Sequence, residues 1–91
     1  MKVIHKYRID ITREQEVLMP IGSTILSAEN QDRCLCVWAM ADPDAPPVTR
    51  RFLVIGTGHR FESGVIGGFQ FVGTVLFDDG EFVWHVFASK P

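Results

Sequence analysis

Covalent staples are almost missing from this chain, whose 91 residues include only two cysteines, Cys34 and Cys36. Two apart in an apolar run, they point to the same face of a strand and compete for one space, which makes them poor disulfide partners. A Cys-Leu-Cys pair offers two thiolates, but a structural zinc site needs four ligands. The histidines, His5, His59 and His85, are too scattered to complete one locally. Both cysteines are expected to be reduced core hydrophobes, and no metal or other cofactor is implied. Long apolar runs are lacking too. No stretch approaches the ~20 residues of a membrane-crossing helix, and residues 1–6 hold no apolar segment of signal length, so a cytosolic chain with no membrane partner is expected. Nor is one sign of charge in excess. A net charge of −2, with acids and bases interleaved, leaves no basic stripe for duplex nucleic acid.

Helical periodicity is equally scarce, and what takes its place is alternation. Hydrophobic residues form 46% of the chain and charged residues 22%, an ordinary globular balance for a single domain spanning 1–91. Short apolar runs recur between turn residues, the pattern of an all-β protein. Residues 3–9 alternate Val3, His5, Tyr7 and Ile9 against Ile4, Lys6 and Arg8, as in a half-buried strand. A strand centred on Val17–Met19 follows, with Thr12-Arg13-Glu14-Gln15 before it expected as a turn or short 3₁₀ segment and Pro20–Ser23 after it as a turn. Segments 24–29 and 33–41 form a hairpin around the polar tip Asn30-Gln31-Asp32. The second of these is apolar on both faces and reads as a central strand covered twice. The proline-rich stretch 42–47 interrupts the ladder, and Arg50–Ile55 is the next strand. Residues 69–77 and 82–88 flank Asp78-Asp79-Gly80-Glu81, the strongest hairpin signal. The expected architecture is a small antiparallel barrel or a two-sheet sandwich of about six or seven strands, with a C-terminal hairpin at 69–88.

The segment most like a site is Gly56-Thr57-Gly58-His59-Arg60, at the end of the apolar run Phe52–Ile55. Flanking glycines let a ligand approach the amides, and Thr57, His59 and Arg60 offer donors suited to an anion such as a small phosphorylated ligand. Arg51 is a candidate for a further bidentate contact, and Trp38 and Trp84 for a base-stacking platform. Each has a plainer alternative: a tight strand-end turn with Thr57 capping its own backbone, packing tryptophans, and a hydrogen-bonded structural His85. No Gly-x-Ser-x-Gly elbow, His-Glu-x-x-His pair or P-loop lysine is present, and His59 has only Glu62 nearby as an acid–base partner. Binding is therefore expected rather than catalysis.

The last hairpin poses a burial problem. Phe69, Phe71, Val75, Phe77, Phe82, Trp84 and Val86 can fill one face, while Val72, Leu76, Val83 and Phe87 remain for the other. A small domain has one interior, so the second apolar face points to a homo-oligomer.

Across nearly the whole length, Tyr7-Arg8-Ile9, Met19–Ser27, Cys36–Pro46, Gly56-Thr57-Gly58-His59 and Trp84-His85-Val86-Phe87 carry a resemblance. The chain resembles a family of short uncharacterised proteins encoded in phage and prophage genomes. The resemblance implies an accessory protein in the cytoplasm of an infected host, where such proteins act as inhibitors, sponges or adaptors. The leading expectation is a non-enzymatic homo-oligomer that sequesters a nucleotide-like anion against host defence. The rivals are an inhibitor or adaptor gripping a host protein, and a small virion component.

Overall fold

Alternation along Cys34–Ala41 sets the frame of the molecule. Leu35, Val37, Ala39 and Ala41 are sealed from solvent, whereas Cys34 and Trp38 on the opposite face are half-buried and Met40 is exposed. In the computed structural model, which describes residues 1–90, this segment is β4, the middle strand of a three-stranded antiparallel sheet. Its neighbours are β1 (Val3–Ile9) and β3 (Thr24–Gln31). The second sheet is also antiparallel, in the order β2 (Glu14–Pro20), β5 (Pro47–Gly56), β7 (Phe82–Ser89), β6 (Phe69–Phe77). The expected double covering of β4 is met only in part: a two-layer sandwich has one interior, and of the residues on the outer face only Cys36, 3% exposed, is buried.

The sheets stack as a sandwich and do not close into a barrel. At one side β3 meets β6, and Asn30 Nδ2 donates to the Leu76 carbonyl at 3.2 Å, but no ladder joins the two strands. The Cα extents of 40 × 32 × 15 Å describe a flat body about two sheet layers thick. Between the layers lie Ile9, Ala28, Leu35, Val37 and Ala39 from one sheet and Met19, Phe52, Val54, Val75, Phe77, Val86 and Ala88 from the other. Phe52, Val37 and Val86 are each 0% exposed. Cys34 and Cys36 are both free thiols, as their shared face requires.

The turns follow from short polar side chains. The β3–β4 hairpin closes at Gln31↔Cys34, so its two-residue loop is Asp32-Arg33, one position later than the sequence implied. Both loop residues have positive φ, 51° and 66°, the geometry of a type I′ turn, and Asn30 Oδ1 accepts the Arg33 amide at 3.0 Å. Arginine is a poor occupant of that backbone region. Arg33→Gly is expected to raise stability by about 0.5–1 kcal/mol, the left-handed penalty relieved less the added freedom of the unfolded chain. The urea midpoint checks this, and an unchanged or lowered midpoint would contradict it.

Residues 12–15 do not form the expected turn as a unit, since β2 begins at Glu14. Gln15 instead clamps the preceding bend: its Nε2 donates to the Asp10 carbonyl at 2.6 Å, and its Oε1 accepts the Asp10 amide at 2.7 Å. The Val54 amide donates to the Arg13 carbonyl at 3.0 Å, which fixes Arg13 beside the end of β5.

The C-terminal hairpin forms as expected, closed by Phe77↔Phe82, but a bulge changes its faces. The register shifts between Phe71 and Gly73, so Val72 packs against the core while Phe71 pairs with Phe87. Phe71 is thereby grouped with Phe87 on the outer face, their rings edge-to-face at 5.5 Å, instead of continuing the inward row of Val75 and Phe77. Leu53 and Ile55 also leave the inward row of Phe52 and Val54, yet are only 1% and 3% exposed. The outer side of the four-stranded sheet thus carries apolar residues beside Arg51, Glu14 and the Thr74–His85 pair, and Phe71 and Leu76 remain 58% and 54% exposed on it.

Candidate anion-binding site

Strand β5 ends where Gly56-Thr57-Gly58-His59 folds into a type II turn. The His59 amide donates to the Gly56 carbonyl at 3.0 Å, and Gly58, with φ 84°, occupies the position that demands positive φ. Gly56 is needed for a different reason. A Cβ there would lie 2.6 Å from His59 Cε1 and 3.0 Å from Trp84 Cζ3. The missing side chain lets the imidazole fold back over the strand end, edge-on to the half-buried Trp84 ring at 5.7 Å.

Thr57 does not cap its own backbone. Its hydroxyl bonds His85 Nε2 at 2.7 Å, and His85 Nδ1 bonds the Thr74 hydroxyl at 3.0 Å. Strand β7 is thus tied on one side to the turn and on the other to β6, which gives His85 the structural role its apolar strand suggests. The Thr57 amide donates to the Val83 carbonyl at 3.1 Å. With the His59 amide also engaged, two of the turn's N–H groups serve the protein backbone. Positive charge for an anion here comes from side chains.

Those side chains converge just beyond the turn. Arg13, His59, Arg60, Phe61, Glu62 and Val65 line an open depression of about 670 Å³. Arg13 Nη2 donates to the Arg60 carbonyl at 3.1 Å, which holds one guanidinium against the loop that carries the other. Two arginines and an imidazole face one carboxylate, so the depression favours anions, and Phe61, 41% exposed, adds an aromatic surface. No hydrogen bond or ion pair joins His59 to Glu62 among the described residues, so a preset acid–base pair is not formed there.

Two residues proposed from sequence stand elsewhere. Arg51 lies five residues before Gly56, about 16 Å along the strand. Its guanidinium is held by Glu14 Oε1 at 2.6 Å and lies 5.1 Å from the centre of the Phe69 ring. Trp38 is on β4 in the other sheet, opposite Lys6 and Ser27, and cannot serve as a platform for this loop. Sequence reasoning missed Arg13. It is 47 residues from Arg60, and only the pairing of β2 with β5 brings it near.

Among the described residues no group of three or more His, Cys, Asp or Glu side chains is placed to hold a metal ion, and no helix is long and apolar enough to cross a membrane. No curated protein and no solved structure matches the chain. A domain of unknown function, DUF7352, matches residues 1–91, and the chain belongs to that family.

Proposed function

We propose that this protein is a non-enzymatic binding protein that works as a homo-oligomer and sequesters a small phosphorylated, nucleotide-like ligand. The observation that carries the reading is the convergence of Arg13, His59, Arg60 and Phe61 on one open depression. Paired guanidiniums match phosphate oxygens, and an exposed ring offers a base a surface to stack on. The resemblance to phage and prophage proteins gives this chemistry a role, removal of a nucleotide signal in the host cytoplasm as an anti-defence sponge. Oligomerisation is supported by the outer face of the four-stranded sheet, where Leu76 stands 54% exposed beside the half-buried Val83. Native mass spectrometry of gently purified protein tests both parts together. A multimer that releases a phosphorylated metabolite on denaturation is expected, and Leu76→Lys is expected to shift the mass to the monomer with the β circular dichroism retained. A monomer with no bound small molecule would sink the reading. The same exposed face favours one rival, an adaptor gripping a host protein. That protein would then co-purify with the wild-type chain and be lost from Leu76→Lys.

A further inference from the structure

A charged side chain lies on the core side of β5. Arg50 shares the inward row with Phe52 and Val54 and is only 6% exposed. Its Nη1 donates to the Ser23 carbonyl at 2.7 Å and its Nη2 to the Ser89 carbonyl at 2.8 Å. Nε is buried with no partner, and among the described residues no carboxylate forms an ion pair with this guanidinium. Arg51, next in sequence, is exposed and paired with Glu14, so of these two arginines the buried one is without a counter-charge among the described residues. Buried cations are ordinarily compensated, because desolvation of a charge is costly unless something nearby offsets it. Two carbonyl dipoles offset part of that cost and leave the net charge in place. Desolvation accordingly holds the Arg50 pKa below its ordinary value. A base with a lowered pKa binds its proton less tightly in the folded chain than in the unfolded one. Burial of this charge therefore opposes folding at every pH below the folded value.

Arg50 also lines a cleft of about 220 Å³ at the entrance between the first residues of β3 and β6. Thr24 and Gln70 stand at its exposed rim, and Ile25, Leu26 and Val72 line it with apolar residues. The space exceeds that of a few water molecules and suits an oxyanion carrying a short apolar body. None of its lining residues lines the Arg13–Arg60 depression.

We propose that this cleft is a second anion-binding site, in which Arg50 receives the oxyanion of a small carboxylic acid or phosphate ester. The Nη N–H groups not given to Ser23 and Ser89 are the ones assigned to such a ligand, with Gln70 beside them at the rim. Binding restores the missing counter-charge, and because only the folded chain has the cleft, it raises stability by mass action.

Proton–nitrogen correlation spectra of arginine Nε–H groups in the full chain test this, with the Arg50 signal assigned by its loss in Arg50→Lys. Inorganic phosphate and benzoate are titrated separately against a sodium chloride reference of equal ionic strength. The Arg50 signal is expected to move saturably with at least one probe, and the responding probe tells phosphate chemistry from carboxylate chemistry. Affinity is expected to fall about tenfold in the rim variant Gln70→Ala, as for the loss of a hydrogen bond to a charged group. Arg60→Ala is expected to leave the Arg50 response unchanged, so failure of the first site does not count against this one. No saturable movement with either probe, or equal movement with sodium chloride alone, overturns the proposal.

Discussion

Replacement of Phe52 by alanine is expected to destabilise the protein by about 3–5 kcal/mol, the range for removing a large aromatic from a packed core. Phe52 is 0% exposed, at the centre of β5, opposite Gln15 of β2 on one side and Ala88 of β7 on the other. Truncation leaves a void that neither small Ala88 nor the paired backbones can fill. A domain of this size has about 5–15 kcal/mol of total stability, so the loss is a large share of it. Urea denaturation followed by the fluorescence of Trp38 and Trp84 should show a much lower midpoint with an unchanged slope. A loss below about 1 kcal/mol would mean that the two sheets do not pack on this ring.

The second large effect concerns the ligand. Arg13→Ala with Arg60→Ala is expected to weaken binding of a nucleoside diphosphate by about a hundredfold or more, since each charge-assisted contact contributes about 1.5–3 kcal/mol. Arg51→Ala is the matched control. It removes a cation five residues from the turn that is already engaged by Glu14, and affinity should not change. Isothermal titration of the wild type and the two variants at one salt concentration decides the matter, because the wild-type contacts are exposed and screened by ions. Equal affinity in the double variant and the wild type would remove the depression from consideration. A fall in Arg51→Ala alone would move the site along β5.

Local pattern revealed most of the strands. The alternation of Leu35, Val37 and Ala39 against Cys34, Cys36 and Trp38 marks β4, and Asp78-Asp79-Gly80-Glu81 marks the final hairpin; both form where expected. What local pattern does not carry is the bulge in β6. Phe69, Val72 and Phe71 are all apolar, so hydrophobicity alone cannot say which of them turns inward when one residue is inserted into the ladder. The site divides in the same way. Gly56-Thr57-Gly58-His59 was legible as a turn because its glycines constrain the backbone locally, whereas Arg13 joins Arg60 only through the β2–β5 pairing. Arg50 and Arg51 show the limit most sharply. They are adjacent and chemically identical, and the side of β5 that each occupies decides which is buried and, among the described residues, without a counter-charge.

The strand order carries a consequence for how a nascent chain acquires this structure. Only β3–β4 and β6–β7 join neighbours in sequence; β1 must wait for β4, β2 for β5, and β5 for β7. During synthesis the first two strands emerge without partners, with Ile4 and Leu18, 62% and 67% exposed even in the finished fold, adding to their apolar surface. The four-stranded sheet gains its inner strand pair only when the last segment, Phe82–Ser89, leaves the ribosome. The four-stranded sheet therefore cannot be completed before Phe82–Ser89 is made. A chain released before that segment has no route to either the depression beside β5 or the cleft at its base.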